Sequence, residues 1–234
     1  MSNKKIGIIG AMKIEIEALA DKLEDRLDTT VSGITFHEGR LCGREVVLAV
    51  CGVGKVFAAI CAQTMILRFG ANAIINSGVA GGLDSRLKIC SAVIADKVVQ
   101  HDMDTSALGD PVGLISGINK VYFEADREMI AALEKATDGY PDGVFGGIIA
   151  SGDQFIAEDS KKEWLRSTFG AIACEMEGAA IAHAAHINNV PFAVFRTISD
   201  GGDGMDFVTF TKIAAERAQE IILKFIEAYN GGVL

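Results

Sequence analysis

Short runs rich in Ile and Val, bounded by Gly or Asp, alternate along this chain with longer stretches of helical period. That alternation leaves few folds open, because it is the pattern of β-strands joined by crossover helices. It predicts strands over 5–10, 35–39, 45–51, 73–77, 91–101, 144–151, 172–175 and 192–198, and helices over 13–22, 55–69, 124–136, 159–167, 177–187 and 207–228. Several of the strands are apolar on both faces, which implies an α/β fold with the sheet sandwiched between helix layers. In the last helix, Phe210, Ile213, Ala214, Ala218, Ile221, Ile222, Phe225 and Ile226 form one stripe opposite Lys212, Glu216, Glu220 and Lys224. Such a helix caps one face of a sheet. The helix over 55–69 is apolar almost all round and that over 177–187 is built largely of Ala and Gly, so both are expected close against strands. With 234 residues and neither internal repeat nor linker, residues 1–234 read as a single domain.

Composition excludes several classes of partner. The 22 Lys and Arg against 31 Asp and Glu give a net charge of -9, which repels phosphate backbones and anionic headgroups, so neither nucleic acid nor membrane is expected as a partner. No apolar run approaches the roughly 20 residues of a membrane span. Lys4-Lys5 followed by Ile6 to Ala11 has the outline of a signal peptide, but the run is short and meets Lys13 and Glu15 at once, so it reads as the first strand. The five Cys include no C-x-x-C pair and have apolar neighbours, as expected of reduced core thiols in a cytoplasmic protein. The pattern breaks only over 102–119, where Gly109, Pro111, Gly113 and Gly117 punctuate a long connection. Loops of that length are often functional or interfacial.

Two glycine-rich segments follow strands. Gly52-Val53-Gly54-Lys55 lacks the glycine at position 49 and the hydroxyl at 56 of a phosphate-binding loop, having Ala49 and Val56, and Phe57 stands where a dinucleotide fingerprint needs its third glycine. It reads as a tight strand-to-helix turn. Asn76-Ser77-Gly78-Val79-Ala80-Gly81-Gly82 leaves a buried strand at the edge where open α/β sheets bind ligands. Glu15, Glu175, Glu177 and Asp200 share that edge. Singly each has an ordinary explanation: Glu15 would favour a helix N-terminus by up to about 1 kcal/mol, and Asp200 would suit a turn. Together they mark a site, since gathering carboxylates is costly. His183 and His186, three apart on a helix, lack a third metal ligand and read as helix-surface or packing residues; His101-Asp102-Met103-Asp104 fits no metal spacing. No G-x-S-x-G nucleophile elbow occurs, so acyl transfer is disfavoured.

Six motifs in order carry a resemblance: Ile6-Gly7-Ile8-Ile9-Gly10-Ala11-Met12 with Glu15, Gly52-Val53-Gly54-Lys55, Ser77-Gly78-Val79-Ala80-Gly81-Gly82, Ser151-Gly152-Asp153-Gln154-Phe155-Ile156, Glu175-Met176-Glu177-Gly178-Ala179-Ala180 and Arg196-Thr197-Ile198-Ser199-Asp200. From residue 5 to about residue 228 the chain resembles the 5'-methylthioadenosine/S-adenosylhomocysteine nucleosidase family of the purine nucleoside phosphorylase superfamily. The resemblance implies a three-layer α/β/α fold with a central mixed, partly barrel-like sheet, nucleoside phosphorylase-like. It further implies a homodimer, a role in methionine salvage, and cleavage of small-molecule adenine nucleosides without metal or organic cofactor. Carried over, Glu15 would activate water and Asp200 would protonate adenine N7. Glu177 would hold the ribose hydroxyls, with Met176 against the sugar and Glu175 among the substrate-binding residues. Phe155 would stack on adenine, Ile156 would bind its edge by backbone groups, and Gly81 lies in the glycine-rich loop. Ser199 and Arg196 would support the acid and the water. Met12, Val53 and Phe210 would line the path to the 5' substituent, completed by the partner subunit's loop around Thr105 and Leu108. Val79 stands where some relatives carry Ser, and related sequences include enzymes that also cleave 6-amino-6-deoxyfutalosine.

The chemistry suits those residue types. Adenine is a poor anionic leaving group, so an acid that protonates it as the bond breaks lowers the barrier, commonly by about 10²–10⁴-fold. The ribose gains oxocarbenium character, which a carboxylate beside the incoming water stabilises. A phosphorylase would need cationic donors near the anomeric carbon, where Glu15 would repel phosphate. Phosphorolysis and a non-catalytic nucleoside-binding role remain the competing expectations.

Overall fold

The computed structural model describes residues 5–201 and 204–229. Its elements run β1 (Ile6–Gly10), α1 (Lys13–Ala20), β2 (Glu24–Val31), β3 (Ile34–Leu41), β4 (Arg44–Val50), α2 (Lys55–Phe69), β5 (Ala73–Gly82) and β6 (Ala92–Gln100). After a 3-10 turn at Ser106–Leu108 come β7 (Tyr122–Glu124), α3 (Arg127–Ala136), β8 (Val144–Ser151), α4 (Asp159–Phe169), β9 (Ala171–Glu175), α5 (Gly178–Ile187), β10 (Phe192–Asp200) and α6 (Gly204–Ala228).

Alternation along β1 shows why the sheet needs two covers. Ile6 and Ile8 enter one core, with Leu19 of α1, Met129 and Leu133 of α3 and Ile222 and Phe225 of α6. Ile9 enters the other, with Met65 of α2 and Ile181 of α5. Buried side chains on both faces of one strand require helices on both faces, and the three-layer expectation is met. The apolar α2 and the Ala-rich α5 pack against each other, as expected of helices without a polar face.

The sheet is mixed and partly closed. β5 pairs in parallel with β1 along its first half, and Gly81 and Gly82 pair with Cys174 and Ala173 of β9. Side-chain-free residues let the strand curve away from β1 toward a new neighbour. Since β9 pairs β8, β8 pairs β6, β6 pairs β10 and β10 pairs β5 again, five strands form a ring, while β1, β4, β3 and β2 extend from it as an open sheet. The mouth of the ring, at the carboxyl ends of β5, β9 and β10 beside that of β1, carries the site.

Two strands were not expected. β2 is polar and exposed along most of its length, so hydrophobic period could not reveal it. It forms by pairing with β3 through a two-residue turn, Ser32 and Gly33, both at positive φ. β7 pairs with β6 where a helix start was expected; Asp126 then caps α3 by accepting the N–H groups of Glu128 and Met129. No helix among the described residues is long and apolar enough to cross a membrane.

Candidate active site

Glu15 lies in the first turn of α1, where β1 delivers the chain to the ring mouth. One carboxylate oxygen, Oε2, accepts the backbone N–H of Ala11 at 2.8 Å and of Met12 at 2.9 Å, while Oε1 accepts that of Val79 at 3.0 Å. The end of β1 and the glycine-rich end of β5 thus grip one side chain. Position 78 must be glycine for this, because a Cβ there would run into the Glu15 carboxylate. Burial pushes the Glu15 pKa above its ordinary value, against the lowering effect of the Arg196 charge and of the three N–H groups.

Arg196, in the middle of β10, is fully buried and organises the other carboxylates from beneath. Its Nη2 donates to Glu175 Oε2 and to Asn76 Oδ1, and Asn76 in turn donates to the Ile9 carbonyl at 2.9 Å. Glu175 also accepts from the Ser151 hydroxyl and from the N–H groups of Glu177 and Gly178, at 3.0 and 2.7 Å. With that set of donors Glu175 acts as a strut fixing the start of α5. Glu177 is held differently: its Oε1 accepts the Gly54 N–H at 2.8 Å, and its Oε2 stands 3.9 Å from Arg196 Nη2. Burial, followed by the neighbouring Glu175 charge, pushes the Glu177 pKa up, opposed by Arg196. One guanidinium therefore faces Glu15, Glu175 and Glu177, and the site is short of positive charge.

Asp200 closes the opposite wall. It lies just past an irregularity in the pairing of β10 with β5, is buried, and its Oδ2 accepts the Ser199 hydroxyl at 2.8 Å. Gly81 packs against its other oxygen.

These groups surround one cavity. Of the residues expected from the sequence, it brings together Met12, Glu15, Val53, Gly81, Phe155, Ile156, Glu175, Met176, Glu177, Ser199 and Asp200. Arg196 is beneath the cavity and does not line it. Phe210 requires correction: the aromatic on the wall is Phe207, edge-on to Phe155 with ring centroids 5.6 Å apart. Phe207 lies at the rim in the first turn of α6, which begins at Gly204, and Phe210 lies about 4.5 Å further along the axis. Thr105 and Leu108 lie outside the cavity; the Thr105 hydroxyl donates to Asp110 and Leu108 is 84% exposed.

Gln154, Cys174 and Phe207 line the cavity without having been expected there, as Asn76, Ser151 and the Gly54 N–H support it. Asn76 and Ser151 did leave a signal: each is a polar residue following an apolar run, and a buried polar group needs a partner. The turn reading of Gly52–Lys55 holds, with Gly52 and Gly54 at positive φ. His183 and His186 pack on Phe123, and among the described residues no three His, Cys, Asp or Glu side chains are placed to share a metal ion.

The chain is similar to known proteins over nearly its whole length. The chain matches the phosphorylase superfamily model over residues 5–227. It is 39% identical over 223 residues, 94% of this chain and 96% of the relative, to the 5'-methylthioadenosine/S-adenosylhomocysteine nucleosidase of Actinobacillus succinogenes. The crystal structure of the S-adenosylhomocysteine nucleosidase of Streptococcus pyogenes with 5-methylthiotubericidin superimposes with a TM-score of 0.93 at 37% identity, over 97% of this chain and 98% of that one. The futalosine hydrolase of Helicobacter pylori superimposes with a TM-score of 0.92 at 34% identity, over 96% and 98% of the two chains.

Proposed function

The chain belongs to the 5'-methylthioadenosine/S-adenosylhomocysteine nucleosidase family of the phosphorylase superfamily, and on that premise we propose that it hydrolyses the N-glycosidic bond of these two nucleosides, releasing adenine and the 5-substituted ribose. The observation that carries this reading is the placement of Glu15, Glu177 and Asp200 around one cavity with a single buried cation, Arg196, behind them.

In this mechanism adenine stacks on Phe155 with its edge at Ile156, and N7 takes a proton from Asp200 as the bond lengthens. Charge then builds on the ribose as an oxocarbenium ion, in a pocket whose own balance is negative, so the transition state gains more than the neutral substrate does. Glu177 accepts from the ribose hydroxyls. Glu15 takes the proton of the water that attacks the anomeric carbon; its three N–H bonds fix the carboxylate in place beforehand. Phosphate would meet the same carboxylates with no free cationic donor among the described residues, which favours hydrolysis over phosphorolysis. Met12, Val53 and Phe207 give a thioether substituent an apolar wall.

The reading extends to a homodimer in which Thr105 and Leu108 of one subunit complete the 5' pocket of the other. Val53 just before α2, Val56, Phe57 and Ile60 of α2, Ile187 of α5 and Leu108 are all exposed, much apolar surface for a monomer to leave in water. The proposal also includes a role in methionine salvage in the cytoplasm. The likeness to a futalosine hydrolase favours one further substrate, 6-amino-6-deoxyfutalosine, which differs at the 5' end and would use the same groups; 5'-deoxyadenosine would fit likewise.

The test is incubation with 5'-methylthioadenosine in the presence and absence of phosphate, followed by chromatography of both products. Adenine and free methylthioribose, formed equally in both, are expected. A sugar 1-phosphate formed only with phosphate would make the protein a phosphorylase, and tight binding without turnover would make it a nucleoside-binding protein.

A further inference from the structure

Beside the catalytic cavity, three segments meet at a half-buried cluster of charge that the mechanism does not use. Asp102, just after β6, accepts from Lys55 Nζ at 2.6 Å through Oδ1 and from the backbone N–H of Asp153 at 2.8 Å through Oδ2. The Asp153 side chain returns the connection, accepting the backbone N–H of Lys55 at 2.8 Å. Lys55 Nζ also donates to Gln100 at 3.2 Å, and the Lys55 and Asp102 side chains are each only 17% exposed. These bonds form a closed cycle. It joins the end of β6, the first residue of α2 and the segment after β8.

Two of its three arms, at Lys55 and Asp153, end one or two residues from the cavity. Gly54, adjacent to Lys55, donates its N–H to Glu177, and Phe155 lies two residues beyond Asp153 on the cavity wall. Beneath the cycle the His101 ring fills the space that a Cβ on Gly152 would take, and rests edge-on to Trp164 with centroids 6.5 Å apart. The segment bearing Phe155 has no helix or strand of its own; it is held by the Gly152 N–H on the Glu175 carbonyl, by Asp102 and Lys55 at Asp153, by the Phe207 ring at Phe155 and by the His101 ring from below.

We propose that Lys55 and Asp102 are positioning residues, an ion pair that fixes the base-stacking segment relative to the α2 N-terminus so that the groups facing adenine and ribose are held at one spacing. This rests on the nucleosidase reading for the identity of the two halves, and on geometry alone for the positioning. An ion pair that merely stabilised the fold would, on loss, lower the melting temperature and leave the folded site unchanged. A positioning pair predicts a different result: Lys55→Met and Asp102→Asn raise KM for 5'-methylthioadenosine and weaken binding of free adenine, each by about tenfold, with a smaller change in kcat. Lys55→Arg, which keeps the charge, restores both.

The single tryptophan supplies a readout independent of turnover. Trp164 touches the His101 ring, so its emission is expected to shift in Lys55→Met and Asp102→Asn and to return in Lys55→Arg. Calorimetry with adenine, steady-state kinetics and Trp164 emission are measured on the full chain, with sedimentation confirming the same assembly state in each variant. Parent-like adenine binding and emission in both disruptive variants would overturn the proposal. If the parent neither cleaves the nucleoside nor binds adenine, the functional reading falls, while the emission series still decides whether the pair sets the segment: a shift in the disruptive variants that Lys55→Arg reverses supports it, and an unchanged spectrum refutes it.

Discussion

Glu177 is held in a place that works against its charge. Burial and the adjacent Glu175 both raise its pKa, so between the ordinary value of 4.5 and the raised one the folded state binds a proton that the unfolded state has released. Stability contributed by that proton is fully present below the ordinary value and is lost as pH rises through the raised one. Glu177→Gln keeps the shape and an oxygen for the Gly54 N–H, yet has no charge to desolvate. The variant is therefore expected to be more stable than the parent at about pH 8, by on the order of 2 kcal/mol, with the difference vanishing near about pH 4, while its turnover falls by at least about 10²-fold. Urea denaturation at the two pH values checks this; a difference independent of pH would show that Glu177 carries no such penalty. The same residues show how far sequence reaches. Singly, Glu15, Glu177 and Asp200 each have an ordinary explanation in the sequence; they stand out only together with Glu175, because carboxylates gathered at one edge of a sheet are costly. The partners that make them tolerable were not legible, because Gly54 and Glu177, or Asn76 and Arg196, are more than a hundred positions apart and meet only through the register of the sheet.

At the scale of elements, hydrophobic period found what hydrophobic burial builds. α2, α5 and the core strands were readable because their apolar residues face the two cores. β2 and β7 were hidden because pairing with a neighbour makes them, and the early start of α6 was hidden because its first turn sits before the apolar stripe. The exposed apolar side chains of α2 have the opposite status: they repeat with helical period but leave much of their surface uncovered by this chain. On the dimer reading they face a second copy, so Ile60→Glu is expected to shift sedimentation from dimer to monomer and to raise KM for methylthio substrates by about tenfold or more, the 5' pocket having lost its partner wall. A monomeric parent, or a monomeric variant with unaltered kinetics, would remove the partner subunit from the site.

Across the whole molecule, two cores and a five-strand ring support a small region in which most local rules of stability are broken at once. Carboxylates are gathered, one cation is buried beneath them, and a glycine is needed to make room for Glu15. Such conflicts persist where the rest of the fold over-determines them, and they are affordable here because both faces of the sheet are covered. The central claim is that Asp200 serves the leaving group and nothing else in the reaction. Asp200→Asn should be measured on two substrates: 5'-methylthioadenosine, and a riboside with the same 5' group but a 4-nitrophenyl leaving group that departs without protonation. The value of kcat/KM is expected to fall by about 10²–10⁴-fold on the first and by less than about tenfold on the second. An equal loss on both substrates, or full activity on the adenine nucleoside, would contradict the claim.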